Sequence, residues 1–529
     1  MPVPPPIQRA PLREVLARRD QTSIGVELRS AGPASVEIAG SLAFDVLLID
    51  ALHAAVSPFS GQVESLLRAA GAHGASALVR VPELAAGTIN RILNDGAHGV
   101  VIPEIDSAEA ALRAADACRY PPRGRRGAAP IVRSANYGLT EWDAYRAAVN
   151  DETVVFASVE TAAGLLAAAE IAAVPGIDGV LFESFPLAVV AGTDPNAAWP
   201  DAVAATAAIA AVRAAGKIAA ATVISESAGR AWRDAGCTLI ILADELSRFG
   251  RLAQELQQSL LFLDRTGGVR AGRSLRERID ADETLLGTFS TLVEAPYIEL
   301  LGHAGFDFVI TDCEESPGDS FGMQLEDLLR AAEAAGIATI VRPVENRAGA
   351  INRALNAGAE GVYVPHVRTV ADCEAVVAAA LYPPLGRRGA APVVRAASFG
   401  TEGWDGYHAR VNAQNLAMIM IEDLEGVENI EEIVKVPGLA GVLVGTWDLA
   451  VEAGVAAYGP PPPQVMAHVA RVFDATVGAG LIMSAHCWSA DAARKYQELG
   501  ARILTVSLDS TLLIAALRQL ESEGNALRG

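Results

Sequence analysis

Residues 44–50 read Phe-Asp-Val-Leu-Leu-Ile-Asp, and residues 306–312 read Phe-Asp-Phe-Val-Ile-Thr-Asp. The aspartates that close the two runs lie 262 residues apart, since 312 − 50 = 262. The same offset relates Arg80 to Arg342, so no net insertion or deletion separates the two copies over this span. The chain therefore contains one unit twice.

Each copy alternates short apolar runs with alanine-rich amphipathic stretches, which is the pattern of parallel strands connected by crossover helices. Eight strands are predicted in the first copy, at residues 23–28, 44–49, 77–80, 99–102, 154–159, 179–182, 218–222 and 238–243. The matching eight in the second copy are at residues 285–290, 306–311, 339–342, 361–364, 417–421, 441–444, 481–485 and 502–507. A short helix before each set, at 12–20 and 275–282, is expected to close the floor of a barrel.

Eight parallel strands with crossover helices close into a barrel more readily than they form an open sheet. None of the predicted strands is followed by the GxGxxG turn of a nucleotide-binding open sheet. The length of 529 residues divides into two units of about 250 residues, the usual size of one barrel. We predict an α/β protein of two tandem TIM (β/α)8 barrels, with the first at 1–262, a glycine- and arginine-rich linker at 263–274 and the second at 275–529.

The composition excludes some classes of partner. The formal net charge is −21, from 63 acidic and 42 basic residues, whereas a nucleic acid or an anionic membrane would need a positive face. The N-terminus has no basic region followed by an apolar stretch, and no segment has the apolar length of a membrane span, so a cytoplasmic protein is expected. The five cysteines are odd in number and lack CxxC spacing, which predicts buried free thiols.

Side chains at the carboxyl ends of barrel strands line the active site. In the second copy Glu422 ends one apolar run, and Asp448 follows the next run within Gly445-Thr446-Trp447-Asp448. Two carboxylates at neighbouring strand ends would share one hard divalent cation, with Mg2+ or Mn2+ preferred and Co2+ as a third option. The alternative is that each carboxylate caps a helix or pairs with an arginine of the barrel.

Other charged residues follow strands two and three of the second copy. Arg342 ends the third strand, where its guanidinium would either face an oxyanion or bridge acidic strand ends. Asp312 ends the second strand, and Glu314 and Glu315 follow directly. Clustered carboxylates act as general bases when burial and like charge raise one pKa, although a solvated acidic loop has the same pattern.

The first copy differs at two of these positions. His53 occupies the position that matches Glu315, three residues after Asp50, and an aspartate and histidine so placed would form an orienting dyad unless the histidine is structural. Pro186 matches Asp448, and proline supplies no metal ligand. The two copies have therefore lost different parts of one site.

These motifs, in this order, resemble the class II pyruvate-dependent aldolases, within the wider superfamily of citrate lyase β subunits. The resemblance covers nearly the whole chain twice, through Phe-Asp, Ile-Asp-x-x-His, Val-Arg-x-Pro, Ile-Glu and Gly-x-x-Asp-Leu. Tyr-Pro-Pro-x-Gly-x-Arg-Gly, which begins at Tyr120 and again at Tyr382, makes it specific. It implies barrels of the phosphoenolpyruvate/pyruvate superfamily type and a metal-dependent carbon–carbon lyase, as in 4-hydroxy-2-oxoheptanedioate aldolase and 2-dehydro-3-deoxyglucarate aldolase.

The resemblance also assigns roles to matching positions. The metal ligands of the family match Glu422 and Asp448, whereas the first copy keeps Glu160 and has Pro186. The remaining implied positions, catalytic or substrate-binding, are Arg342, Asp312, Glu315, Gly445, Thr446 and Trp447 in the second copy and Arg80, Asp50 and His53 in the first. The family histidine that takes the hydroxyl proton is thus present only in the first copy.

The implied reaction cleaves or forms a 4-hydroxy-2-oxo acid through a pyruvate enolate, with a small oxo acid and an aldehyde as partners. Three interpretations stay open: an aldolase that works mainly from the second barrel, a catalytically dead oxo-acid-binding or scaffold protein, and a related enolate-forming lyase or decarboxylase. The first is favoured, with Glu315 preferred as the base over His53 reaching across from the first barrel. Because the family assembles as hexamers, a homo-oligomer is expected, as a pseudo-hexamer of three fused chains.

Overall fold

The computed structural model contains two closed barrels, each of eight parallel strands in sequence order. It describes residues 12–17, 21–30, 32–191, 202–260, 272–316, 323–401, 403–455, 461–487 and 489–528. The first barrel consists of β1 to β8 at Ser23–Leu28, Val46–Asp50, Ala77–Arg80, Gly99–Ile102, Val154–Val159, Gly179–Glu183, Ile218–Val223 and Leu239–Leu242. The second consists of β9 to β16 at Leu285–Ser290, Phe308–Asp312, Ala338–Arg342, Gly361–Val364, Leu416–Ile421, Gly441–Val444, Ile482–Cys487 and Ala501–Leu508.

Helices connect the strands of each barrel, as the alanine-rich stretches predict. In the first sequence copy they are Leu12–Leu16, Pro33–Gly40, Gln62–Ala72, Ala86–Asn94, Ala108–Cys118, Trp142–Glu152, Ala162–Ala173, Ser184–Ala191, Ala202–Ala214, Glu226–Asp234 and Glu245–Ser259, with a 3-10 helix at Arg133–Gly138. In the second they are Leu275–Asp280, Ala295–Ala304, Met323–Ala334, Ala348–Ala357, Val370–Ala380, Trp404–Gln414, Leu424–Glu428, Ile430–Ile433, Thr446–Glu452, Pro463–Gly478, Ala490–Glu498 and Asp509–Leu527, with a 3-10 helix at Arg395–Gly400.

The prediction of two tandem eight-stranded barrels is confirmed, and every predicted strand is present with its ends shifted by at most two residues. The register also changes late in the repeat. Gly179 pairs with Ile218, whereas Gly441 pairs with Ile482, so the offset between the copies grows from 262 to 264 between the sixth and seventh strands. Later positions must therefore be matched with the longer offset.

The interior of each barrel is filled by apolar side chains from alternate strand positions, so each barrel is a packed core and not a pore. Leu12 and Leu16 join the core of the first barrel, and Leu275 and Ile279 join that of the second. The short opening helices thus close the floors as expected. The polar strand ends are left at the opposite mouth.

The chain divides into two compact units that do not coincide with the sequence copies. One unit is residues 1–248 with 513–529, and the other is residues 249–512. Within the first unit Gly524 lies against Ile24, and Arg248 pairs with Glu523 at 2.8 Å. Each unit is therefore completed by a helical segment from the end of the other sequence copy.

Two expectations from the composition can be compared with the described residues. All five cysteines are buried free thiols, as predicted. None of the helices in the described part of the chain combines the length and apolar character that crossing a bilayer requires. Most of the predicted linker, residues 263–271, lies outside the described residues, as do residues 1–11.

Candidate active site

The mouth of the second barrel encloses a cavity of about 340 Å³. It lies at the carboxyl ends of the strands, where barrel enzymes place their active sites. The structure brings to it every residue that the sequence predicted for this copy: Asp312, Glu315, Arg342, Glu422, Gly445, Thr446, Trp447 and Asp448. Sequence positions more than 130 residues apart, from Asp312 to Asp448, thus share one pocket.

Arg342, the last residue of β11, is held in a fixed orientation. Its Nε–H and one Nη2–H donate to the two carboxylate oxygens of Asp312, at 2.8 and 2.6 Å, and its Nη1 lies 2.8 Å from Glu314. Burial disfavours the charged form, but the hydrogen bonds and charges of Asp312 and Glu314 outweigh it and raise the pKa of Arg342 above its usual value. A guanidinium has five N–H donors, so two remain for a bound anion.

Glu422 follows β13 and is almost completely buried, with 1 % of its surface exposed. Its Oε1 accepts the backbone N–H of His366 at 2.7 Å, while Oε2 is buried with no hydrogen-bond partner among the described residues. A Cβ on Gly445 would lie 2.8 Å from Oε2, so any larger residue at this position would collide with the Glu422 side chain. Burial raises the pKa of Glu422, and the nearby charge of Asp448 acts in the same direction.

A divalent cation fits this arrangement. The buried Oε2 atom of Glu422 lacks a partner, and Asp448 projects from the first turn of the helix that begins just after Gly445. Carboxylate oxygens are the ligands preferred by Mg2+ and Mn2+. A cation would remove the cost of the unpaired buried oxygen and the repulsion between the two carboxylates.

Two histidines at this mouth are absent from the sequence-based prediction. His366 follows β12 with a left-handed backbone, φ 54°, which directs its N–H towards Glu422. Its Nε2 lies 3.2 Å from Glu314 and its Nδ1 lies 3.4 Å from Glu422, so these three residues could share a cation. Burial raises the pKa of Glu314 to about 7 despite the charge of Arg342.

His486, near the end of β15, lines the cavity itself. Its ring meets those of Phe289 and Trp447 edge-on, with centroids 6.1 and 6.4 Å apart. Burial lowers the pKa of His486 to about 4, so the imidazole is neutral at neutral pH. The signal in the sequence was the same one that identified Glu422, namely a polar residue at the end of an apolar strand.

The first barrel surrounds its arginine with more carboxylates. Arg80 is 1 % exposed, and its Nη1 donates to Glu27 at 2.6 Å and to Asp50 at 3.0 Å. Its Nη2 donates to Glu183 at 2.6 Å. These charges raise the pKa of Arg80 although burial opposes the charged form. The alternative in which a barrel arginine bridges acidic strand ends thus describes Arg80.

The predicted dyad of the first barrel forms. His53 Nδ1 lies 3.0 Å from Asp50, whose pKa falls to about 2 because the charge of Arg80 and the backbone N–H of His53 outweigh burial. Glu27, Asp50 and His53 place ligand atoms within 4.8 Å of one another, but the guanidinium of Arg80 already bonds to both carboxylates. A second cation would have to displace it.

In the first barrel, two positions that correspond to the proposed metal site carry different residues. Glu183 occupies the position of Gly445 and is bound to Arg80, with a further hydrogen bond from Thr222. Pro186 occupies the position of Asp448. Glu160 remains, and it accepts a hydrogen bond from Ser158 at 3.1 Å. We therefore expect the first barrel to bind no divalent metal.

Removal of Arg80 will destabilise the protein. Arg80→Ala leaves Glu27, Asp50 and Glu183 without their counter-charge in a buried site, which should cost about 3–5 kcal/mol of unfolding free energy. Denaturant unfolding measures this loss. Arg125→Ala is the matched control, because that side chain is 87 % exposed and its ion pair with Asp116 is screened by water. Equal transitions for the two variants would contradict a buried network.

We expect the second barrel alone to bind a divalent metal. Mn2+ titration followed by electron paramagnetic resonance should give one site per chain, and Glu422→Gln or Asp448→Asn should abolish it, since each removes a proposed ligand. Glu160→Gln, the matching change in the first barrel, should leave binding unchanged. Unaltered stoichiometry in both second-barrel variants would remove Glu422 and Asp448 as ligands.

Comparison with known proteins agrees with the duplicated architecture. The family model described as HpcH/HpaI aldolase/citrate lyase matches residues 24–238 and again residues 285–516. A hydroxypyruvate/pyruvate aldolase of Pseudomonas aeruginosa is 32 % identical over 254 residues, covering 46 % of this chain and 90 % of the relative. A 4-hydroxy-2-oxo-heptane-1,7-dioate aldolase of Shigella sonnei is 29 % identical over 253 residues, 48 % of this chain and 95 % of the relative. A crystal structure of a family member from Burkholderia cenocepacia J2315 is 35 % identical, with a TM-score of 0.44, and covers 47 % of this chain and 98 % of that one. The chain therefore belongs to the HpcH/HpaI aldolase/citrate lyase family, whose domain it carries twice.

Proposed function

We propose that this protein is a metal-dependent carbon–carbon lyase of the aldolase type that works from its second barrel. Its substrate is a 4-hydroxy-2-oxo acid, which it cleaves to, or forms from, pyruvate and an aldehyde. The observation that carries the proposal is the single cavity that Arg342, Glu422 and Asp448 share. The names of the similar aldolases support the reaction class.

Glu422 and Asp448 would hold the cation, and the cavity leaves room beside them for a small oxo acid. When bound there, a divalent metal supplies Lewis-acid polarisation of the carboxylate and oxo oxygens of the substrate. Side chains of the protein carry out the remaining steps, which are stabilisation of the developing charge and proton transfer.

Arg342 would stabilise the charge that develops during cleavage. As the C3–C4 bond breaks, its electron pair forms the C2–C3 double bond of the pyruvate enolate, and negative charge accumulates on the C2 oxygen. Arg342 lines the cavity with two N–H donors beyond those that bind Asp312 and Glu314. Donors fixed in advance stabilise such an oxyanion without reorganisation at the moment of reaction.

A base must accept the proton of the C4 hydroxyl group while the C4 carbonyl of the aldehyde forms, and a proton must then be added to C3 to give pyruvate. Glu315 lines the cavity and is the proposed base. Glu314 is part-buried between Arg342 and His366, so its proposed role is to position Arg342.

Arg342 should be required for enolate formation. Arg342→Ala should reduce deuterium exchange at the pyruvate methyl group by about 100-fold or more, since removal of one oxyanion donor costs about that much. Proton NMR in heavy water with Mg2+, Mn2+ or Co2+ follows the exchange. His53→Ala in the first barrel is the control and should exchange at the normal rate. Normal exchange in Arg342→Ala, or loss in His53→Ala, would contradict a reaction centred on the second barrel.

The base is tested by cleavage of a 4-hydroxy-2-oxo acid, coupled to a pyruvate-detecting enzyme. Glu315→Gln keeps the shape of the side chain but cannot accept the proton, so cleavage should fall by about 100-fold or more. Metal binding and pyruvate exchange should persist. The reverse pattern, in which His53→Ala abolishes cleavage and Glu315→Gln does not, would assign the base to the histidine.

A further inference from the structure

We propose that the aldehyde partner of this reaction is uncharged and apolar, an aliphatic or aromatic aldehyde without a second carboxylate. This inference rests on the proposed function and specifies its substrate class. It follows from the wall of the cavity that lies away from the two proposed metal ligands.

That wall is apolar and aromatic. Phe289 and Leu508, at paired positions of β9 and β16, line the cavity together with Trp447. The side chain of Met420 and the side chain of Leu443 continue this surface inside the mouth. An apolar group that leaves water for such a surface gains free energy in proportion to the area it buries, whereas a carboxylate placed there loses its hydration.

The charges around the cavity give an anionic tail no partner. Among the described residues that line it, Arg342 is the one permanent cation. Asp312 and Glu314 bind three of its five N–H donors, and the other two are the ones proposed to hold the enolate oxygen, so none is left for a carboxylate of the aldehyde. His366 lies outside the lining and faces Glu314, Glu422 and Asp423. The other charged lining residue away from the proposed metal ligands is Glu315, which would repel a carboxylate.

His486 does not supply the missing cation. Its Nδ1 lies 3.2 Å from the hydroxyl oxygen of Thr505, which itself donates to the carbonyl of Ala485. The ring is held edge-on to the rings of Phe289 and Trp447. Burial keeps the pKa of His486 low, so this ring extends the uncharged wall.

In the first barrel, the positions that correspond to this wall carry charged residues. Phe289 and Thr291 match Glu27 and Arg29 at the offset of 262. Leu508 matches Asp244 at the later offset of 264. The next residues confirm this match, because Glu245 accepts the backbone N–H groups of residues 29 and 30, and Asp509 accepts those of the equivalent residues 291 and 292. Arg29 bonds to Glu27 at 3.1 Å and lies 3.3 Å from Asp244. The barrel that retains the proposed metal ligands has lost all three of these charges.

The test compares two four-carbon aldehydes that differ only in the terminal carboxylate, butanal and 4-oxobutanoate, in aldol addition to pyruvate by the full chain with Mn2+. The value of kcat/KM for butanal should exceed that for 4-oxobutanoate by about tenfold or more, because the pocket offers the carboxylate no counter-charge. Pyruvate methyl exchange is measured in the same sample.

Thr291→Arg should narrow or reverse this preference, because it returns to the second barrel the arginine that the first barrel has at the matching position. Leu508→Lys provides a second cation at the same wall if the first variant does not fold. Leu499→Arg, on an exposed leucine, is the control and should keep the wild-type ratio.

The outcomes separate the two proposals. Pyruvate exchange with equal or better use of 4-oxobutanoate, or exchange with addition of neither aldehyde, overturns the inference and leaves enolate formation intact. Absence of both exchange and addition overturns the proposed function and this inference with it. A butanal preference that persists unchanged in both cationic variants also overturns the assignment of specificity to this wall.

Discussion

The buried arginine at the end of the third strand imposes the main constraint on both barrel mouths. A guanidinium cannot lose its proton inside a protein, so each barrel must surround Arg80 or Arg342 with carboxylates. Removing only one partner of such a group leaves an uncompensated buried charge, which is far costlier than an exposed one. The residues around the arginine therefore have to change together, as a set.

The two barrels satisfy this constraint in different ways. Around Arg80, carboxylates from three other strands converge, from Glu27, Asp50 and Glu183, so that the arginine joins strands together. Around Arg342, Asp312 and Glu314 suffice, and Phe289 and Gly445 replace the other two acids. The exchange of Glu183 for Gly445 matters most, because a side chain there would meet the Glu422 oxygen that is proposed to bind the metal. One barrel thus gains a buried ion-pair network where the other keeps an open cavity.

Much of this arrangement can be predicted from the sequence, because each copy of the repeat provides an independent check on the strands predicted in the other. An apolar run that recurs in the other copy at nearly the same offset is expected to be a strand in both copies, and the sixteen predicted strands match the sixteen strands of the two barrels. The rule that polar residues at strand ends line the mouth also placed Arg342, Glu422 and Asp448 in one pocket.

The remaining features depend on geometry that spacing does not encode. His366 reaches Glu422 through a left-handed backbone, which the spacing of residues along the sequence does not indicate. His486 lies in a strand whose offset has grown to 264, so it does not align with its counterpart at 262. Burial raises the pKa of Glu314 to about 7, because this side chain packs between Arg342 and His366. The sequence does not show which of two adjacent carboxylates, Glu314 or Glu315, is the more deeply buried.

The proposed function implies that one chain contains one catalytic centre, in the second barrel. Crystals grown with Mn2+ and pyruvate, with anomalous diffraction recorded at the manganese absorption edge, test it most directly. We expect a single anomalous peak per chain, bound by Glu422 and Asp448, with pyruvate oriented towards Arg342. A peak in the first barrel beside Glu27, Asp50 and His53, with none at Glu422, would contradict it.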